Sequence, residues 1–390
     1  MAEPVLVAGA RTPIGKLLGA LAPHQAPDLG GAAIKAALER AGITGADVDA
    51  VIMGTVVQAG VGPNPARIAA VNGGIPMTVP ASTVNKLCLS GLAAIAQAAQ
   101  WVQLGQYEIV VAGGQESMTN APHELLGARR GFKYGDTSLV DALDQDALLC
   151  AFDKILMGAA TDRDQAKEGL TREEQDAFAA ESHARAAAAI KDGRFAEEIV
   201  PVTVKTRKSE VVVDQDEGVR PGVTVQTLGG LRSAFGGTIT AGTASQLSDG
   251  GAAVVVMSKD RARALGLSWL AEIGAYGTVA GPDTSLLHQP ANAIRDALRR
   301  DGSLTVEDLD LLEINEAFAG VTITSSRDLG LSADRVNVNG GAIALGHPVG
   351  MSGARLVHSL VLELRRRGGG VGAAALCGGG GQGDALIVRV

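Results

Sequence analysis

"VDAVIMG" (Val48 to Gly54) and "LDLLEIN" (Leu309 to Asn315) are the two stretches on which the architecture turns. Each is a short apolar run preceded by an alanine- and leucine-rich segment of helical periodicity, the text of a buried strand fed by a helix. Once the two are superimposed, the correspondence spreads outward in both directions. "LVAGARTPIG" from Leu6 lies over "LAEIGAYGTVAG" from Leu270, both reading as a strand that ends in a glycine-bearing turn. "CLSGLAAIAQAAQ" from Cys88 lies over "VGMSGARLVHSLVLEL" from Val349, through Ser90-Gly91 and Ser352-Gly353. "EIVVAGG" from Glu108 matches "GVGAAALC" ending at Cys377, and "AAVVVMS" from Ala252 matches "ALIVRV" at the end of the chain. Self-similarity on this scale predicts an α/β fold built twice, each half a strand-helix alternation finished by a hairpin strand. It further predicts mostly parallel sheets covered on both faces.

The halves differ at one place. Where the second turns through Gly378 to Gly383, the first inserts everything from about Thr119 to Leu247. The expected units are therefore 1–118 with 248–268, the insertion 119–247, and 269–390. The insertion carries charged helical text, "TREEQDAFAAESHARAAAAIKDGRF", in which Thr171 and Glu174 fit a capping box.

Composition narrows the function. The 46% hydrophobic content of 390 residues is that of a globular protein with a large core, and 52 glycines beside 3% aromatics favour close backbone packing. With 42 acidic against 34 basic residues and a net charge of -8, nucleic acid is excluded as the expected partner. No stretch reaches membrane-spanning length, and the N-terminus "MAEPVLVAGARTP" lacks the basic and apolar regions of a signal peptide. Three widely separated cysteines form neither a disulfide framework nor a paired zinc signature, so a soluble protein of the reducing cytoplasm is expected.

Individual thiols then gain interest. Cys88 stands just before an alanine-rich helix, where the positive end of the dipole favours a nucleophilic thiolate. The same text also suits a small packed hydrophobe. His347 is squeezed between Gly346 and Pro348 at the second-half position that answers to Asn85, three residues before Cys88; it can serve as a base or as a cap for the following helix. Equivalent strand-to-helix turns of two facing halves converge, so Cys88 and His347 are expected in one crevice at the carboxyl ends of strands. Cys377 and Asn315 end neighbouring strands. A sulfur nucleophile, an imidazole and a second thiol point to covalent acyl transfer with a separate proton transfer. The bare glycines after Cys377 let backbone N–H groups approach a substrate as oxyanion donors.

Other motifs fail on context. "GGGGQG" is followed by a strand rather than a helix, and "GARTPIGK" has one residue too many for a P-loop. Cys150 has a helical apolar neighbourhood and is expected to be structural. His24, His123, His183 and His358 show no metal-type spacing, so no metal site is expected; His288 suits a crevice, a cap or the surface.

Over nearly its whole length the chain resembles the thiolases of the acetyl-CoA acetyltransferase type. "VNKLCLSG" resembles their nucleophile segment, "NEAFA" from Asn315 their Asn-Glu-Ala-Phe motif, "NGGAIALGHPVGMSGAR" their Gly-His-Pro signature, and "CGGGGQG" their closing cysteine motif. The resemblance implies a layered αβαβα core of duplicated halves with an inserted loop domain. It also implies a ping-pong reaction: Cys88, activated by His347, takes an acyl group as a thioester, and Cys377 moves the second proton. Two acetyl-CoA would condense to acetoacetyl-CoA, or a 3-ketoacyl-CoA would be cleaved. One oxyanion hole would come from His347 and a water on Asn315, the other from the N–H groups of Cys88 and Gly379. Coenzyme A would enter as substrate, with no permanently bound cofactor, against Ser245, Arg220 and Phe235, while Met157 and Phe318 would line the acyl pocket. A homo-oligomer, dimer or tetramer, is implied. Departures from the pattern lie at Leu156, where histidine is usual, at Thr161 to Arg163, in "GGLRSAF" and at His288; all are expected around coenzyme A and the acyl chain. The competing expectations are another condensing enzyme, against which the second thiol speaks, and an inactive acyl-CoA-binding protein.

Overall fold

The computed structural model describes residues 2–205 and 209–390. The first half runs β1 (Pro4–Arg11), α1 (Ala26–Ala41), β2 (Ala50–Gly54), α2 (Pro65–Asn72), β3 (Ala81–Val84), α3 (Ser90–Gln103) and β4 (Ile109–Ser117). The insertion contributes α4 (Met157–Lys167) and α5 (Arg172–Lys191) before the chain returns as β5 (Ser248–Ser258). The second half follows as β6 (Ala271–Ala280), α6 (Gln289–Asp301), β7 (Leu311–Ile314), α7 (Ala319–Asp328), α8 (Val349–Arg366), β8 (Val371–Gly378) and β9 (Gln382–Arg389).

Side-chain alternation along the strands builds the layers. Val110 and Ala112 of β4 face inward onto α3 and α8, together with Ala374 and Leu376 of β8 and Leu386 and Val388 of β9. Ile109 and Val111, one residue out of phase, face outward onto α1 and α2. Ala373 and Ala375 of β8 likewise face outward onto α6. A period of two thus splits the core into three slabs, and the order is outer helices, sheet, paired central helices, sheet, outer helix. This is the expected αβαβα layering.

The sheets are mixed rather than mostly parallel. β2 pairs in parallel with β3 and β4, and β7 with β8. The pairs β4–β5, β8–β9, β1–β5 and β6–β9 are antiparallel. The reason is the hairpin that finishes each half: a strand returning through a turn must run backwards, and the first strand of each half pairs with that returning one. The halves are also joined, through Val5 opposite Glu272 and Leu6 opposite Ala271, so the strands form one hydrogen-bonded path.

A second difference lies in the second half's counterpart of β3, which is reduced to a single bridge between Leu312 and Val336. Asn337 has φ +47°, which breaks the strand. Its side chain replaces the lost ladder, with Oδ1 accepting from Ile314 N at 2.8 Å and Nδ2 donating to Ile314 O at 2.8 Å.

The central helices meet backbone to backbone near their N-termini. A Cβ on Gly91 would lie 2.8 Å from Gly350 O and 2.9 Å from Ala354 N, and one on Gly353 would collide with Leu92 N. A methyl group there forces the helices apart, so Gly353→Ala should lower stability to denaturant by about 2 kcal/mol. Gly229→Ala, into open space, should leave an equally or more stable protein. A Gly353→Ala protein as stable as its parent would show that the helix contact yields freely.

Candidate active site

The turn from Asn85 to Leu89 is fixed from within. Leu87 sits at φ +53°, unusual for a bulky residue, and its N–H donates to Asn85 Oδ1 at 3.1 Å. Ser90 Oγ accepts from Lys86 N at 2.8 Å and donates to Leu87 O at 2.6 Å. Cys88 therefore stands two residues before α3 in a rigid, strained turn. As a residue it is half-buried, but its thiol is surrounded by protein atoms. That desolvation pushes its pKa up to about 12; a backbone N–H opposes the shift and the Glu116 carboxylate adds to it. Helix-end position alone suggests a thiolate, yet burial outweighs the partial charge of the dipole and the resting group is a thiol.

His347 occupies the matching turn before α8. Its N–H reaches Gln246 O at 3.0 Å and Ser248 Oγ at 3.2 Å, two residues at the return of the insertion. Its Nδ1 lies 2.6 Å from Ser352 Oγ, whose own proton goes to Pro348 O at 2.9 Å. A hydroxyl that has already donated must accept, so Nδ1 carries the proton and Nε2 the lone pair. Asn315 Nδ2 faces Nε2 at 3.4 Å, which agrees with that tautomer. Burial pulls the imidazole down to about 3, with the Arg355 charge acting in the same direction, so His347 is neutral near pH 7. In the amino-acid text Ser352 stands out only as the counterpart of Ser90; the two serines do equivalent work, each bracing the turn before its own helix.

Glu116 ties the start of α8, just after the His347 turn, to the segment that follows β2, and nothing in its immediate sequence singles it out. Its carboxylate accepts from Val56 N at 3.0 Å, Val57 N at 3.1 Å and Gly350 N at 2.9 Å. Burial raises it to about 7 despite these bonds. The available signal was an acidic side chain at the end of the all-buried strand β4.

Asn315 directly follows β7 and is fully buried; its Oδ1 has no hydrogen-bond partner among the described residues. Glu316, beside it, holds the approach to His347 by accepting from Ser182 Oγ at 2.7 Å, Asn337 Nδ2 at 3.0 Å and Ile343 N at 3.1 Å. Cys377 is paired with Gly383 and packs against Leu286, Leu287, Ala317, Met157 and Phe318. Burial, then the nearby Cys88 sulfur, hold its thiol above the ordinary range. A Cβ on Gly379 would meet Leu87 at 2.7 Å and overlap the Met157 side chain, so that position admits only glycine beside the Cys88 turn.

One cavity of about 280 Å³ lies beside these groups. His347 forms part of its wall, with Met157, Phe235, Ser245, Phe318 and Leu156, and most of the remainder is apolar. Neither thiol is in the wall itself. Cys88 borders the apolar cluster that contains Met118 and Val349 and that Leu148 and Leu247 also border, and Cys377 belongs to the cluster that Met157 and Phe318 border; all six of those neighbours are wall residues. Ser245 is placed by its N–H to Ala317 O at 3.0 Å, which lays the end of the insertion along the Asn315–Ala319 motif. Asp162, one of the departures, accepts from the N–H groups of Gly237, Thr238 and Ile239 at 2.7, 2.9 and 3.1 Å and so fixes the loop that carries Phe235.

Arg220, expected near the nucleotide of coenzyme A, and His288, expected around coenzyme A and the acyl chain, both lie outside this cavity. Arg220 is exposed, is absent from the cavity wall, and offers its backbone N–H to His183 Nδ1 at 3.2 Å. His288 is also absent from that wall; its Nδ1 lies 2.7 Å from Asp328 and its Nε2 3.3 Å from Glu168. Burial lowers its pKa, but the two carboxylates outweigh this and the net shift is upward. Its departure from the family pattern therefore concerns an ion pair, not the acyl pocket.

A thiol whose pKa is about 12 gains thiolate about tenfold per pH unit throughout the neutral and mildly alkaline range. Iodoacetamide alkylation of Cys88 in the free protein, followed by peptide mass mapping, should rise in that manner from pH 7 to 9. A plateau below pH 8 would reveal a preformed thiolate.

A family model described as "Thiolase, N-terminal domain" matches residues 4–260, and one described as "Thiolase, C-terminal domain" matches 267–390. The chain is 56% identical over 392 residues to a probable acetyl-CoA acetyltransferase of Mycobacterium leprae, covering 100% of both chains. It is 49% identical to an acetyl-CoA acetyltransferase of Pseudomonas aeruginosa, covering 100% of this chain and 99% of that one. The crystal structure of the Bacillus anthracis acetyl-CoA acetyltransferase superimposes with a TM-score of 0.97 at 41% identity, covering 100% and 99% of the two chains.

Proposed function

The chain belongs to the thiolase family, and from that premise we propose that it is an acetyl-CoA acetyltransferase working by ping-pong acyl transfer between coenzyme A thioesters. The observation that supports the proposal is that His347 lines one largely apolar cavity whose wall residues also belong to the apolar clusters around Cys88 and Cys377.

In this reading Cys88 attacks the thioester carbonyl as its proton passes to the unprotonated Nε2 of His347. A neutral thiol beside a neutral imidazole suits such a step, because neither partner holds a buried charge until the substrate supplies an oxyanion to balance it. The N–H groups of Cys88 and Gly379 would receive that oxyanion, with Gly379 held close by the lack of a side chain. For the second half-reaction Cys377 would pass its proton to the departing coenzyme A thiolate and, as thiolate, take a proton from the methyl group of the second acetyl-CoA; the enolate so formed would be stabilised by His347 Nε2, which keeps the proton taken from Cys88, and by a water on the unpartnered Oδ1 of Asn315. In thiolysis the same thiol would act as the acid.

Ser245, Phe235, Met157 and Phe318 are proposed to hold the pantetheine and acyl portions, and Arg220 the nucleotide end from outside the cavity. Coenzyme A and acetyl-CoA are substrates here, not resident cofactors. No helix among the described residues is long and apolar enough to cross a membrane. The proposed setting is the cytoplasm, where both sulfurs stay reduced. A homo-oligomer, dimer or tetramer, is supported by exposed apolar side chains clustered at Leu125, Leu126, Phe132, Tyr134 and Leu139.

Incubation with acetyl-CoA should add one acetyl group, seen by intact mass, and Cys88→Ala should abolish it. Cys377→Ala should still be acetylated but condense roughly 10²–10⁴-fold more slowly. Failure of the parent protein to become acetylated would return it to a binding role, and normal condensation by Cys377→Ala would remove that thiol from the mechanism. Sedimentation tests the assembly, which a monomer at working concentration would overturn.

A further inference from the structure

Lys86, two residues before Cys88, reaches out of the first half altogether. Its Nζ lies 2.6 Å from Asp384 Oδ1, 2.9 Å from Thr278 Oγ1 and 3.1 Å from Tyr276 Oη. An ammonium group has three donors, and here each meets a different oxygen. All three acceptors belong to the second half, on β6 and β9. Asp384 is fully buried, and Tyr276 Oη also donates to its Oδ2 at 2.6 Å, so the carboxylate is held from both sides. The ammonium lies 5.7 Å from the centre of the Tyr276 ring.

The register shows where this contact acts. Asp384 stands opposite Leu376, the residue before Cys377, and Thr278 stands opposite Asp384. The ion pair thus runs from a point two residues before one sulfur to the ladder rung beside the other. Its near end is rigid as well, because Ser90 Oγ holds Lys86 N and the left-handed Leu87 leaves the turn little freedom. His347 is positioned independently: Glu116 ties Gly350 N to the first-half residues Val56 and Val57 without involving Lys86.

We propose that Lys86 is a positioning residue that sets the separation of Cys88 from Cys377 through Asp384, and so governs the step that needs both sulfurs on one substrate. The inference rests on the reading of those thiols as the reacting groups. It predicts a selective defect, because the Cys88 turn is joined toward the His347 side through Asn85 Nδ2 to Val56 O at 3.2 Å and Glu116, whereas toward Cys377 the ion pair is the polar link, beside the packing of Leu89 and Leu87 against Gly378 and Gly379. A displacement of about 1 Å between reacting groups costs on the order of 100-fold in rate.

The test separates the half-reactions, acetyl-enzyme formation by rapid quench and intact mass, and condensation of that acetyl-enzyme with a second acetyl-CoA. Lys86→Met should slow condensation about 100-fold while acetylation falls by less than about tenfold. Lys86→Arg, which keeps a cation within reach of Asp384, should recover much of the loss. Asp384→Asn should show the same split, and Lys86→Met with Asp384→Asn should be no slower than the worse single variant, since both remove one interaction. Tyr276→Phe, which leaves the ion pair in place, provides a milder disturbance if either charge change prevents folding; it should shift the ratio of condensation to acetylation in the same direction. Equal loss in both half-reactions, or a ratio unchanged in every folded variant, would overturn the proposal and leave Lys86 a stabilising contact. Absence of acetylation in the parent would instead defeat the underlying functional reading.

Discussion

Everything in this molecule depends on how closely two helix backbones can approach. α3 and α8 touch at Gly91, Gly350 and Gly353, with no side chain between them, close to both N-termini. Helices that meet at their starting ends bring together the turns that precede them, and those turns carry Cys88 and His347. The sheets hold the contact in place from each side. Gly54 lies against Ser90, and a Cβ on Gly114 would overlap the Gly350 carbonyl. A side chain at any of these points would separate the Cys88 turn from the His347 turn, whatever residues those turns contained. Packing density in the central layer is thus a condition of the chemistry and not merely of stability.

The same density sets the electrostatics. Cys88, His347 and Cys377 are enclosed well enough that burial dominates each shift: both thiols are held protonated and the imidazole unprotonated. Helix ends add partial charges, but a fraction of a charge in the first turn does not offset removal from water. The consequence is that these three side chains carry no charge at rest. In the proposed reaction charge would appear when a substrate carbonyl offers somewhere to place it, and rigid backbone donors are worth most in such surroundings. Ser352 and Asn315 complete the arrangement by fixing which nitrogen of His347 is free.

The duplication was plain in the sequence because it is written in local patterns, apolar runs of strand length alternating with helical periodicity. Cys88, His347, Cys377 and Asn315 were legible for a related reason: each sits at the end of an element whose text repeats. What could not be read depends on contacts between distant segments. Glu116 gains its meaning from Gly350, and Asp162 from a loop some 75 residues later. The collapse of the second half's third strand follows from one asparagine side chain bonding across to Ile314, which no strand propensity anticipates. The mixed sheet was missed because alternation of strands and helices indicates crossovers but is silent about the hairpin strands that return antiparallel. His288 shows the opposite failure: a departure from a family pattern drew attention toward the pocket, whereas its neighbours Asp328 and Glu168 hold it away from the wall.

The two halves are alike in architecture and unlike in use, and the inserted segment explains the division. In the second half the hairpin closes tightly through Gly378 to Gly381, putting bare backbone beside Cys377. In the first half the equivalent hairpin is opened, and the long segment that leaves β4 returns at β5 with Gln246 and Ser248 bound to the backbone of His347. On the way it lays Met157 over Gly379 and sets Phe235 and Ser245 into the cavity wall. The insertion therefore roofs the glycine turn of one half and fastens the histidine turn of the same half, while the other half presents its thiol from below. A symmetric pair of hairpins would offer two equivalent clefts and no lid. Opening one of them lets the inserted segment wall a cavity beside His347, with Cys88 of one copy and Cys377 of the other in the apolar clusters that border it.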